Sequence, residues 1–102
     1  MNCNSMYNDK ELEKELFDEF SSRYAIKLFH YINKGFSSDK KYYLETFNNE
    51  KYILRVTNID GFEKKKMEFE IVNKIYNLNI NTSKPIEYGC CLNNRYVYQI
   101  LS

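Results

Sequence analysis

The chain has 102 residues with 43% hydrophobic and 17% aromatic content, enough for one core in a single small domain. Fifteen Lys and Arg against 14 Asp and Glu leave a formal charge of +1, which gives no general case for nucleic acid or an anionic membrane surface. No apolar run is long enough for a bilayer span, and Met1-Asn2-Cys3-Asn4-Ser5 lacks the basic and apolar regions of a secretion signal.

In chain order, Asp9 is placed to cap a helix reaching about residue 22. Leu12, Leu16, Phe17 and Phe20 form its apolar stripe, and acidic side chains cover much of the rest. From Ile26 the period changes. Ile26, Leu28, His30 and Ile32 alternate with Lys27, Phe29, Tyr31 and Asn33, as a strand does, and Gly35 ends it. Residues 41–47 and 51–57 read as two further strands, joined at Asn48-Asn49-Glu50, where Asn tolerates positive φ. Residues 58–61 link to a long helix over 62–77, with Met67, Ile71, Ile75 and Leu78 expected on its buried side, flanked by Phe69, Val72 and Tyr76. Pro85 fits the entry to a strand over 86–91, and Asn93-Asn94 turns the chain into a last strand over 95–101.

That order predicts an α+β fold: a five-stranded antiparallel sheet with one long helix on one face, plus an N-terminal helix. The other sheet face or edge is expected to lie uncovered. Two segments are expected, 1–23 as an N-terminal helical piece and 24–102 as the lobe. Cys90 and Cys91 are neighbours, a poor disulfide pair, and with Cys3 the count is odd. Reduced thiols and a cytoplasmic location follow as expectations. The basic run Lys64-Lys65-Lys66, flanked by Glu63 and Glu68, reads as a solvated helix face.

Two places could carry chemistry. Gly35 can bring backbone N–H groups close to an anion because it has no Cβ. Ser37 and Ser38 add hydroxyl donors there, and Lys40 and Lys41 add positive field. An ordinary hairpin turn with solvated serines has the same pattern. Second, Arg55 interrupts the apolar strand Tyr52-Ile53-Leu54-Arg55-Val56, so it requires an anionic partner. Glu70 on the long helix is the expected partner and Glu68 the other candidate; a plain structural salt bridge fits equally. His30 stands alone, so neither a catalytic dyad nor a zinc site can be built around it.

Together these segments resemble the N-terminal lobe of the aminoglycoside phosphotransferase / choline kinase-like family, which has a protein-kinase-like fold. The match runs from about residue 24 to 102. Gly35-Phe36-Ser37-Ser38-Asp39-Lys40-Lys41-Tyr42 is similar to the family's short phosphate loop and the strand after it. Tyr52-Ile53-Leu54-Arg55-Val56 is similar to its third strand, and Glu68-Phe69-Glu70 through Tyr76, then Pro85-Ile86, to its helix and fourth-strand entry. The resemblance implies an ATP site that includes Gly35, Ser37 and Ser38, in which Ser37 touches the β-phosphate and Tyr42 lies against the adenine. Arg55, paired to Glu70, would contact the α- and β-phosphates in the place of the family's strand Lys. Gln99, Leu101 and Ser102 would lead into the hinge that meets the adenine edge.

The resemblance also implies that the catalytic base and the Mg2+ ligands sit in a C-terminal catalytic lobe, which is expected to be absent here. No catalytic residue is therefore expected in this chain, and the chain alone is expected to be inactive as a small-molecule kinase. A small-molecule acceptor is expected only in a complete enzyme. The rival expectation is a non-catalytic α+β interaction module, a homo-oligomer formed through exposed apolar surface.

Overall fold

The structure is a computed structural model that describes residues 3–32, 39–79 and 83–102, with the side chains of residues 3–9 left out. Helix α1 (Cys3–Phe20) leads into β1 (Ile26–Ile32), β2 (Lys40–Thr46) and β3 (Lys51–Asn58). A 3-10 turn (Ile59–Gly61) precedes α2 (Phe62–Asn77), and β4 (Pro85–Cys91) and β5 (Tyr96–Leu101) follow it. One antiparallel sheet results, in the order β1-β2-β3-β5-β4. The fold is α+β with five antiparallel strands and two helices, as the sequence predicts. Among the described residues no helix is long and apolar enough to cross a membrane.

The tight connections follow from asparagine. Asn49 turns β2 into β3 with φ 67°, and Leu92, Asn93 and Asn94 turn β4 into β5 with φ 53°, 59° and 63°. Leucine is unusual in that region, and here side chains hold it. Its N–H donates to Glu19 Oε1 at 3.0 Å, and its carbonyl accepts from Arg95 Nε at 3.0 Å. Arg95 in turn reaches Glu15 at 3.1 Å, so α1 braces this turn.

Side chains alternate across the sheet. On one face Tyr42, Leu54, Val56, Tyr98 and Ile100 meet Leu12, Leu16 and Phe20 of α1 in one core. The expectation of an uncovered face is thus corrected: α1 lies on it, since an amphipathic helix and an apolar sheet face bury each other. Asp9 does not cap α1, which begins at Cys3 and runs through it. At its far end the Phe20 ring stands edge-on to Tyr98, with centroids 4.9 Å apart. Beside that pair Glu87 of β4 accepts hydrogen bonds from Arg23, Tyr98 and Tyr24, fastening the end of α1 to the sheet.

Two sequence expectations about facing change. In β1 the register shifts between Ile26 and Leu28. The extra residue turns Ile26 and Phe29 to the α1 face although they are three apart, and it leaves Leu28 38% exposed. On α2 the buried side is not Met67, Ile71 and Leu78, which are 61%, 52% and 69% exposed. Phe62 and Phe69 pack on Tyr88 of β4, and Lys65 is buried. Met67 and Ile71 lie about 200° round the helix from Lys65 and Phe69, on the opposite side. The rings and one lysine win the sheet, and a second apolar stripe is left facing outward.

Candidate functional site

The sheet face opposite α1 carries Arg55 on β3. Lys41 stands across from it on β2 and Gln99 on β5. Helix α2 packs against β4 and β5, on one side of this face. Leu28 and His30, toward the β1–β2 side, are exposed. Arg55 sits at the border, with its side chain 28% exposed.

Its partner is Asp39, just before β2. Arg55 Nη2 donates to Asp39 Oδ2 at 2.8 Å. Lys65 Nζ of α2 donates to the same Oδ2 and to Glu68 Oε1, the latter at 2.8 Å. Asp39 and Lys65 have side chains only 2% and 7% exposed, so this bridge is shielded from water. The Lys65 backbone carbonyl accepts from Gln99 Nε2 at 3.2 Å, which sets the height of α2 over the sheet. Arg55 Nε is buried and makes no hydrogen bond among the described residues. Two cations, Arg55 and Lys65, therefore share the Asp39 carboxylate, Lys65 also holds Glu68, and Lys41 stands beside Arg55 on the next strand. Arg55 presents a planar donor edge that is only partly used.

The expected residues fall differently. The ion-pair partner of Arg55 is Asp39 in place of Glu70. Glu70 lies about 140° round α2 from Lys65 and is exposed. Tyr42 is on the opposite face from Arg55, 1% exposed, stacked on Phe29 at 5.1 Å and tilted against Tyr31 at 5.4 Å. A nucleotide held by Arg55 would have the sheet between itself and that ring. Gln99 is 1% exposed and engaged with α2. Leu101 pairs with Ile53 on one side and Pro85 on the other, and Ser102 exchanges backbone hydrogen bonds with Lys84 at 2.9 and 3.2 Å. The last strand therefore spends its backbone groups inside the sheet. Gly35, Ser37 and Ser38 lie outside the described residues.

Sequence reasoning missed Asp39 and Lys65. The available signal was the parity of Asp39, which shares a face with Lys41 and hence with Arg55. A groove of about 550 Å³ along Lys10, Glu13, Lys14, Phe17 and Phe29 lies on the α1 side, away from this cluster. Among the described residues no three His, Cys, Asp or Glu side chains converge as an all-protein metal cage needs. Burial pushes the Cys91 thiol up to about 12, and the nearby Glu19 charge adds to it, so that thiol offers little reactivity. Comparison with family models, curated proteins and solved structures gave no match.

Proposed function

We propose that the chain is the ATP-binding small lobe of an aminoglycoside phosphotransferase-like small-molecule kinase. In the complete enzyme the γ-phosphate of ATP would pass to a substrate hydroxyl. The base, the magnesium ligands and the acceptor site would belong to a second lobe. One observation carries the reading: a third-strand arginine stands at the edge of an open sheet face, sharing the Asp39 carboxylate with Lys65 of the helix that follows that strand. The helix that joins β3 to β4, and the placing of β5 between them, support it further. A kinase small lobe likewise uses a third-strand cation under its helix to hold phosphates. Catalysis of this kind is mostly positioning and charge. Here Arg55 and Lys41 would supply the positive wall against which the α- and β-phosphates lie.

A second reading has its own observation. Met67 and Ile71 on α2, with Leu78 just past its end, form one exposed stripe, and a helix apolar on two sides is usually covered on both. The chain would then be an interaction module that pairs with a second copy through α2. Titration of ATP into the chain by calorimetry, with sedimentation of the same sample, separates the two. The first reading expects a monomer that binds ATP, with binding weakened about tenfold or more by Arg55→Ala and reduced by Ser37→Ala. No ATP binding in a stable dimer that Ile71→Glu dissociates would overturn it in favour of the second.

A further inference from the structure

We propose that the Asp39 carboxylate is a resident anion that occupies the phosphate position between Arg55 and Lys65, so that a polyphosphate binds this site only by displacing it. The inference rests on the reading above and adds its regulation: the small lobe is self-inhibited toward its own ligand. A carboxylate oxygen that accepts from a guanidinium and an ammonium has the partners a phosphate oxygen seeks. Asp39 fills the role incompletely. It takes Arg55 through Nη2, while the neighbouring Nε stays buried without a partner among the described residues. A guanidinium binds a phosphate best through two adjacent donors, and a phosphate group has the extra oxygen that Nε lacks. The Arg55 side chain is 28% exposed, whereas those of Asp39 and Lys65 are almost wholly buried. An incoming anion therefore reaches Arg55 first and competes with Asp39 from there.

Inorganic tripolyphosphate is the probe, titrated by calorimetry into the wild-type chain, Asp39→Asn and Asp39→Asn/Arg55→Gln, with melting curves alongside. Asp39→Asn keeps the shape and removes the charge. It should bind tripolyphosphate about tenfold or more tighter than wild type, the factor one charge-assisted hydrogen bond supplies. It should melt lower than wild type without the probe and regain most of that loss with it, and the added Arg55→Gln should abolish the gain. Equal binding by wild type and Asp39→Asn, or weaker binding by the variant, overturns the proposal and leaves the ATP-lobe reading standing. No binding by either overturns both. Should Asp39→Asn fail to fold, carbon NMR of the wild-type Asp39 carboxyl decides. A signal that moves with tripolyphosphate supports displacement, and one left unmoved overturns it.

Discussion

Phe20→Ala tests whether α1 is part of the core or an appendage to the lobe. Phe20 is fully buried, edge-on to Tyr98 at 81°, with the Arg23 guanidinium 4.8 Å above its ring. Truncation removes a ring's worth of buried surface and leaves a cavity between α1 and β5, at a cost of about 3–5 kcal/mol. The cation contact changes that little, because Arg23 is 40% exposed and water screens it. A domain of this size has a total stability of about 5–15 kcal/mol, so the loss is a large fraction of it. With a urea slope of roughly 1.5 kcal/mol/M, a loss of about 4 kcal/mol moves the unfolding midpoint down by about 2.5–3 M. Far-UV circular dichroism in a urea series reads this directly. Phe47→Ala is the control: that ring is 68% exposed, and its removal should cost less than about 0.5 kcal/mol. If Phe20→Ala folds normally, a loss below about 1 kcal/mol would show that α1 is not docked as described. If Phe20→Ala does not fold, the milder Phe20→Leu should still cost about 1–1.5 kcal/mol.

Two further outcomes can be checked with the same assay. Burial would raise the Glu87 carboxyl, but hydrogen bonds from Tyr98, Arg23 and Tyr24, with the Arg23 charge, outweigh it and hold the group below its ordinary value. Its contribution is therefore present above the ordinary carboxylate value of about 4.3 and is lost as pH falls through the lowered one, so Glu87→Gln should weaken the chain by about 1 kcal/mol at neutral pH and flatten the acid limb of its stability curve; an unchanged acid limb would refute the assignment. Asn94, at φ 63°, should resist β-branched replacement: Asn94→Val is expected to cost about 1–2 kcal/mol in urea unfolding and Asn94→Gly close to nothing, and equal stability of the two would refute the strained-turn account.

The strands were legible because their turns announce themselves. Asn49 and the Asn93-Asn94 pair sit where the chain reverses, and alternation fills the strands between them. Helix α2 was legible in extent, residue for residue, but not in orientation. Met67, Ile71 and Leu78 repeat at helical spacing as well as Phe62, Phe69 and Val72 do, so periodicity alone could not choose between the stripes. Aromatic contact with Tyr88 chose, and that contact joins residues far apart in the chain. The same distance hid the ion cluster. Lys65 sits in a basic run that reads as solvated, and its partner Asp39 is 26 residues earlier. The Ile26 and Phe29 pairing in β1 depends on one inserted residue, which strict alternation cannot foresee.

The position of β5 has a consequence for synthesis. It is made after β4, yet it lies between β3 and β4 and is the seam through which both halves of the sheet are joined. Until residues 96–101 leave the ribosome, β3 and β4 each present a bare edge with nothing to zip against. The nascent chain must therefore stay partly open until this strand emerges, and this is the interval in which a chaperone or a neighbouring copy could capture it.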